Sequence, residues 1–274
     1  MTEPPALRTG GAEMNGAVIA YDEAGQGPPL VLLHAGIADR RMWDDHMAAL
    51  AARHRVVRPD LRGFGDTMAP AGAFAHHADV AGLMAALSLP RAVVVGASMG
   101  GAVAVDLAIA RPDLVAALVL VGSALDGHVF QDPDTRAGWQ AADDALARGA
   151  LEEAADIEID MWVAGPGRGP GDVDPGVRER LRAMLLPAYT DDVEREEEAL
   201  DPPAAARLDE IRCPALVLIG EHDRPDIARA ADVLGRGIAG ARTIPLAGVA
   251  HLPPMERPEE FTSILLNFTA SLQL

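Results

Sequence analysis

The sequence contains no lysine, because all 23 of its basic residues are arginine. This absence excludes Schiff-base catalysis, the P-loop and the S-x-x-K class of serine acylase. Cys213 is the only cysteine among 274 residues, so an intrachain disulfide is impossible and we expect a reducing, cytoplasmic location. Neither H-E-x-x-H nor paired C-x-x-C occurs, and we therefore expect no metal and no cofactor.

Positive charge is scarce, since 23 basic residues face 41 acidic ones and the net charge is −18. This balance argues against nucleic acid or an anionic membrane as a partner. The apolar stretch 92–110 has the length of a membrane span, but its glycines, Ser98 and Asp106 favour a strand, a tight turn and a helix instead. We expect a small-molecule substrate as the partner, and a monomer or a homodimer.

Short apolar runs alternate with helical segments along the chain. They cover residues 30–33, 55–58, 92–96, 116–121, 215–219 and 241–244. This rhythm predicts an α/β fold with a doubly wound, mostly parallel sheet that is covered by helices on both faces. Ahead of it, residues 6–22 alternate around Asn15-Gly16, which predicts an antiparallel hairpin at the edge of the sheet.

The alternation of apolar runs and helical segments stops between residues 126 and 207. Helical stretches at 137–148 and 176–186 take the place of the strands. We therefore predict that residues 1–125 and 208–274 form the core and that 126–207 form an inserted helical cap.

Ser98 is the candidate nucleophile. It stands in Gly96-Ala97-Ser98-Met99-Gly100, a G-x-S-x-G pattern between a buried strand and a helix. A serine on such a tight turn has a strained backbone, and the two glycines leave room for it. The Met99 N–H then lies at a helix start, where it would stabilise an oxyanion, and the loop after the strand at 30–33 offers Gly36 as the second donor.

Two later loops offer the partners that a serine nucleophile needs. Asp223 follows the strand at 215–219, and His251 follows the strand near residue 244. The order Ser-Asp-His is the one expected of an α/β-hydrolase triad, with His251 as base and Asp223 as acid. Asp226 and Asp126 remain alternative acids. Among the other histidines, we expect His46 on a surface helix.

Aromatic and methionine side chains of the cap are candidates to line a substrate pocket, although each could equally pack within the cap. They are Trp139, Met161, Trp162, Met184 and Tyr189. Arg40 and Arg41 could supply a positive patch for a carboxylated substrate, the alternative being a solvated surface. The acidic run 191–198 predicts a solvated cap surface rather than a metal site.

These segments together resemble the α/β-hydrolase superfamily over essentially the full length of the chain. The likeness also includes His34-Ala35-Gly36, Asp60-Leu61-Arg62-Gly63-Phe64-Gly65 and Gly220-Glu221-His222-Asp223. Within the superfamily, residues 39–43 and 98–101 resemble the 3-oxoadipate enol-lactonase-like branch. The resemblance implies an eight-stranded sheet with a cap, and a serine hydrolase that acts on small esters or enol lactones.

Other functions fit the same residues. A C–C bond hydrolase or a cofactor-free perhydrolase would use the same triad, and analysis of the products separates them from an esterase. A non-catalytic or non-hydrolytic ligand-binding protein could also keep this fold. Tight binding of a ligand without turnover would favour that function.

Overall fold

A mostly parallel sheet forms the centre of the protein in a computed structural model, which describes residues 6–191 and 193–272. The strands are β1 (Arg8–Met14), β2 (Ala17–Ala24), β3 (Pro29–Leu33), β4 (Arg55–Pro59), β5 (Gly72–Phe74), β6 (Ala92–Ala97), β7 (Val115–Val121), β8 (Arg195–Glu197), β9 (Ala215–Gly220) and β10 (Arg242–Leu246). Eight of them form the main sheet in the order β1-β2-β4-β3-β6-β7-β9-β10, whereas β5 and β8 pair with each other.

The direction of the strands agrees with the apolar runs in the sequence. The β1–β2 and β2–β4 pairs are antiparallel, and the remaining pairs of the main sheet are parallel. The predicted hairpin turns at Asn15 and Gly16, whose φ angles of 47° and 75° lie in the left-handed region that such turns require.

Helices cover both faces of the sheet. They are α1 (Asp44–Ala51), α2 (His76–Ala86), α3 (Met99–Ala110), α4 (Pro133–Ala147), α5 (Leu151–Ile159), α6 (Pro175–Ala188), α7 (Pro225–Gly237), α8 (Pro253–Glu256) and α9 (Pro258–Ala270). Along β6, Val93 and Val95 pack towards α1 and α9, while Val94 packs towards α2 and α3. The doubly wound α/β-hydrolase fold is therefore confirmed. No helix of the described ranges is long and apolar enough to cross a membrane.

The segment between β7 and β9 is largely helical. In it α5 packs against α4 and α6, and α5 continues into a π-helical turn over Asp160–Ala164. Part of the acidic run, Arg195–Glu197, forms β8 and pairs in parallel with β5, but the described acidic residues of the run are exposed, as the sequence predicts. The limits 126 and 207 of the cap remain a prediction.

His46 lies on α1 as expected, but it is buried instead of on the surface. Its Nδ1 is 2.7 Å from the Thr262 hydroxyl and its Nε2 is 3.0 Å from the Pro254 carbonyl oxygen. The reason is that α1 packs against α9, which the local sequence of α1 does not reveal. Burial lowers the pKa of His46 to about 4.

A buried cluster of ion pairs joins β2, β4 and the turn that follows β3. Asp22 Oδ2 accepts hydrogen bonds from Arg58 Nε at 3.0 Å, Arg58 Nη2 at 2.8 Å and Arg40 Nε at 3.2 Å. Arg40 also pairs with Asp60, at the end of β4. Because these side chains are almost completely shielded from solvent, each charge depends on its partners.

We expect the substitution Asp22→Asn to destabilise the protein by about 3 kcal/mol, since it leaves two buried guanidinium groups short of a carboxylate. Urea unfolding followed by circular dichroism measures the effect. The matched control is Asp113→Asn, which removes an exposed carboxylate that pairs with Arg111 and should leave the unfolding curve nearly unchanged. Equal curves for the two variants would contradict the role of the cluster.

Candidate active site

Ser98 occupies a strained turn between β6 and α3. Its φ of 51° and ψ of −116° are unusual for a residue with a side chain, and such a conformation costs about 1–3 kcal/mol. Two backbone hydrogen bonds hold the turn, from Ser98 N–H to the Val121 carbonyl at 2.9 Å and from Ala124 N–H to the Ser98 carbonyl at 3.0 Å. The serine is therefore fixed to the end of β7 as well as to its own strand.

The turn needs glycine because the backbone passes very close to itself. A Cβ atom on Gly96 would collide with the carbonyl oxygen of Gly100. The Gly100 N–H in turn donates to the His34 carbonyl at 3.1 Å. The first turn of α3 is thereby held against the loop that follows β3.

Asp223 and His251 meet at the same edge of the sheet. Asp223 follows β9 and His251 follows β10, and His251 Nδ1 lies 2.9 Å from Asp223 Oδ1 and 3.0 Å from Oδ2. The pair lies directly against Gly122, at the end of β7, where a Cβ atom would be 3.0 Å from Asp223 Oδ2 and 3.1 Å from His251 Nδ1. The β7 end thus contacts the pair as well as Ser98.

Within the described residues, the alternative acids make no hydrogen bond or ion pair with His251, which pairs with Asp223. Asp226 is completely buried and accepts the N–H groups of Gln131 and Asp132 at 3.0 Å and 2.8 Å. Asp126 lies on the wall of a cavity instead. No hydrogen bond joins the Ser98 hydroxyl to His251 within the described chain, a contact that in hydrolases often tightens only when substrate binds.

Two backbone N–H groups are the candidate donors to an oxyanion formed at Ser98. Met99 is the first residue of α3, so its N–H has no acceptor inside the helix. Gly36 packs against the Met99 side chain. The loop that carries Gly36 is held by His34, whose Nε2 accepts the Leu61 N–H at 2.9 Å and whose Nδ1 donates to the Ala35 carbonyl at 2.9 Å. The arrangement can present two donors to a negatively charged oxygen.

A cavity of about 220 Å³ opens beside Ser98. One stripe of α3 lines it, with Met99, Ala102, Val103 and Asp106 at the spacing of a single helix face. Larger cavities of about 540 and 660 Å³ occur elsewhere, but neither contains a residue of the predicted triad.

Aromatic side chains from the helical segment cover this cavity. Trp139 and Trp162 line it, as the sequence predicts, and Phe130 joins them. The Trp162 ring also stacks on His251, with the ring centres 4.5 Å apart and the planes 32° from parallel. The helical segment therefore contacts the candidate base directly.

The remaining predicted substrate residues do not line the cavity. Met161 and Met184 pack in the apolar core, and the Tyr189 hydroxyl donates to Glu158 Oε2 at 2.7 Å. Arg40 is buried in the cluster with Asp22 described above, so it offers no positive patch to a substrate. The expectation that Arg40 binds a carboxylated substrate was therefore wrong. The sequence did not reveal this because the acids that neutralise Arg40 are distant from it along the chain. Arg41 is bound by Asp39.

The cavity contains acidic residues that the sequence did not single out as functional. Asp106 and Glu197 line it together with Asp126. Burial and the neighbouring carboxyls of Asp126 and Glu197 raise the pKa of Asp106 to about 8. Partial burial and Asp126 likewise raise the pKa of Glu197, to about 7. The spacing of Asp106 from Met99 on one helix face was the available signal.

Comparison with known proteins identifies the family. A family model described as the alpha/beta hydrolase family matches residues 30–264. The chain belongs to this family. Its relatives include proteins named as esterases, lactonases and hydrolases, and also a putative non-heme bromoperoxidase of Mycobacterium tuberculosis, which is 30% identical over 281 residues, covering 93% of this chain and 98% of that protein.

Individual relatives include esterases, C–C hydrolases and lactonases. The pimeloyl-(acyl-carrier protein) methyl ester esterase of Neisseria meningitidis serogroup B is 31% identical over 245 residues, which cover 86% of this chain and 91% of that protein. The 2-hydroxymuconate semialdehyde hydrolase of Pseudomonas sp. (strain CF600) is 29% identical over 257 residues, covering 90% and 89%. The crystal structure of the enol-lactonase from Burkholderia xenovorans LB400 has a TM-score of 0.79 and 28% identity, covering 96% of this chain and all of that one. The resemblance to enol-lactonases is confirmed.

The substitution Gly96→Ala should destabilise the protein by about 2 kcal/mol or more, because its methyl group would meet backbone atoms that cannot move independently. Thermal unfolding measures the loss. Gly171→Ala is the control, since a Cβ atom there meets nothing within 4 Å, and it should change stability by less than about 0.5 kcal/mol. A Gly96→Ala variant as stable as the control would show that the turn can relax.

The raised pKa of Asp106 predicts that the substitution Asp106→Asn stabilises the folded protein more at high pH than at low pH. In the unfolded chain this carboxyl loses its proton near pH 4, whereas in the folded protein it holds the proton up to about pH 8. The folded state binds more protons between these values, so the contribution of Asp106 makes stability fall as pH rises.

Asparagine cannot ionise, and the Tm of the variant minus that of the wild type should therefore grow by about 2 °C or more between pH 5 and pH 8.5. Asp126, Glu197 and Arg207 face Asp106 and stay in place in both proteins. Differential scanning fluorimetry with Asp113→Asn as control measures the difference. A difference that is flat across this range would contradict the buried environment of Asp106.

Proposed function

We propose that this enzyme is a serine hydrolase that cleaves an ester or a lactone of a small organic substrate through Ser98, His251 and Asp223. The observation that carries the proposal is the His251–Asp223 pair, at 2.9 Å, against the same strand end that holds the strained Ser98 turn. Three side chains from distant parts of the sequence thereby share one edge of the sheet. Such a constellation activates a serine hydroxyl.

In the first half of the reaction, the Ser98 oxygen attacks the substrate carbonyl carbon. His251 Nε2 takes the proton of the hydroxyl, and Asp223 holds the ring through Nδ1–H and stabilises the imidazolium. The carbonyl oxygen becomes an oxyanion, to which the N–H groups of Met99 and Gly36 donate. His251 then gives its proton to the departing oxygen, and an acyl-enzyme remains.

In the second half, water attacks the acyl carbon. His251 takes a proton from the water, the tetrahedral oxyanion forms again in contact with Met99 and Gly36, and the bond to Ser98 breaks as His251 returns the proton to its oxygen. For a lactone, the departing oxygen belongs to the same molecule as the acyl group, so it stays on the acyl chain. The product of a saturated lactone is a hydroxy acid, whereas that of an enol lactone is an enol acid that tautomerises to a keto acid.

The helical segment 126–207 acts in this proposal as a cap over the substrate. Trp139 and Trp162 form its contact with the cavity, and the volume of about 220 Å³ suits a small substrate or one arm of a larger one. The enol-lactonase with a TM-score of 0.79 supports a lactone.

C–C bond hydrolysis is the second candidate, since the 2-hydroxymuconate semialdehyde hydrolase of Pseudomonas is similar over 90% of the chain. Here His251 would protonate a carbon leaving group rather than an oxygen. Analysis of the products by mass spectrometry separates the two functions.

The assignment predicts that a fluorophosphonate adds once to the wild-type protein, at Ser98, and does not add to Ser98→Ala. On 4-nitrophenyl esters, Ser98→Ala should lose on the order of a thousandfold or more in kcat/KM, and Asp223→Asn a comparable factor in kcat. Intact-mass spectrometry and initial rates measure both effects.

Ser271→Ala is the control, because this exposed serine follows the end of α9. That variant should keep the adduct and the turnover. Wild-type rates from Ser98→Ala with an unchanged Tm would overturn the assignment of the nucleophile.

A further inference from the structure

Three carboxyl groups face the cavity beside the candidate nucleophile. Asp106 comes from α3, Asp126 from the loop after β7 and Glu197 from β8. Asp106 is only 5% exposed, and its Oδ1 receives no hydrogen bond from an amide, guanidinium or hydroxyl group within 6–191 and 193–272, while the carboxyl of Asp126 lies within hydrogen-bonding reach of Asp106. A buried carboxyl oxygen without a donor costs free energy that a bound ligand can recover.

The basic side chains near these carboxyls are either paired with another acid or uncharged. Arg207 faces Asp106, but its guanidinium makes two hydrogen bonds of 2.9 Å to Glu210. His76 Nε2 is 4.0 Å from Glu197 Oε2, and burial, together with nearby charges, lowers the pKa of His76 to about 4, so it is neutral at pH 7. Burial also lowers the pKa of His77, which faces Asp126. Within the described chain, the carboxyls therefore lack a dedicated cationic partner.

The rest of the cavity wall also suits a positive charge. Two of the three tryptophans of the chain, Trp139 and Trp162, line the same space as the carboxyls. Phe130 packs edge-on against Trp139 with ring centres 4.9 Å apart. Aromatic faces attract alkylammonium and quaternary ammonium groups, particularly where water is excluded.

Asp106, Asp126 and Glu197 together form what we call the acidic wall of the cavity. The distance from Ser98 to this wall sets the length of the ligand. Asp106 lies eight residues after Ser98 along α3, which is about 12 Å along the helix axis. Between them the α3 stripe presents Ala102 and Val103, which are small and apolar. A substrate that reaches both ends needs a flexible apolar chain between its carbonyl and its polar terminus.

We propose that the cavity binds a cationic end group, so that the preferred substrates are esters or lactones with an alkylammonium group at the end of an apolar chain. Asp106, Asp126 and Glu197 bind the charge, and Phe130 and Trp139 shield it. This inference rests on the proposed function, because it assumes that Ser98 attacks the other end of the same molecule. It also reverses the sequence-based expectation of a carboxylated substrate, because acidic groups at the wall would repel one.

The test is a matched pair of 4-nitrophenyl esters. One carries a trimethylammonium group at the end of the acyl chain, and the other carries a tert-butyl group of nearly the same shape. The measured quantity is the ratio of their kcat/KM values at low ionic strength. Since both esters use the same leaving group and the same Ser98 chemistry, titration of the catalytic groups cancels in this ratio.

We expect the wild-type enzyme to favour the cationic ester by about tenfold or more at pH 8.5. The ratio should fall severalfold in Asp106→Asn and approach one in the triple variant with Asp106→Asn, Asp126→Asn and Glu197→Gln. Asp113→Asn, which removes an exposed charge, should keep the wild-type ratio. The wild-type ratio should also rise between pH 6 and pH 9, as Glu197 and Asp106 lose protons beside Asp126, Arg207, His76 and His77.

The outcomes separate this inference from the proposed function. Turnover of both esters with a ratio near one, or with a ratio that the Asp106→Asn and Asp126→Asn variants leave unchanged, overturns the cationic site and leaves the serine hydrolase intact. Absence of turnover and of a fluorophosphonate adduct overturns both. If an adduct forms without turnover, the rates of labelling by fluorophosphonates with the same two end groups give the ratio directly, and equal rates overturn the cationic site.

Discussion

The close approach of β6 and α3 at Gly96 and Gly100 is the constraint on which the site depends. No side chain fits between the two backbones, and the Gly100 N–H also bonds to the His34 carbonyl. This contact fixes Ser98 in its strained conformation, places the Met99 N–H at a helix start and sets the position of the loop with Gly36. If β6 moved away from α3, Ser98 would be displaced relative to the N–H groups of Met99 and Gly36. The packing of these two backbones therefore determines the geometry of the candidate site.

The other half of the site depends on where parallel strands end. Asp223 and His251 follow β9 and β10, and the end of β7 lies between this pair and Ser98. Apolar strands fix the edge of the sheet, and short loops beyond it carry the polar groups. Polar pairs deeper in the core, such as Asp22 with Arg58, then hold the antiparallel side of the sheet in register with the parallel side.

Local patterns in the sequence predicted most of the frame, but contacts between distant residues were less accessible. The parallel strands of the main sheet could be predicted because each contains a short apolar run, and the turn at Ser98 because glycine spacing reports the steric limit there. The short strands β5 and β8 could not, because β8 consists of Arg-Glu-Glu and neither strand has an apolar run. The burial of Arg40 and His46 could not, since their partners lie on other elements that local periodicity does not identify. The acidic wall was missed for the same reason, because Asp106, Asp126 and Glu197 are brought together by three separate segments.

The pairing of β5 with β8 gives the acidic wall an unusual dependence on strand register. Phe74 faces Glu197 in this short ladder, and Ala73 faces Glu196. Side chains alternate across a strand, so a slip by one residue would turn Glu197 away from the cavity and present its neighbour instead. The identity of the residue that carries this charge therefore depends on the length of the connection between α6 and β8. Because Glu196 and Glu198 flank Glu197, a slip by one residue in either direction would still present a carboxylate to the cavity, so insertions or deletions in that connection could change which residue carries the charge without removing it.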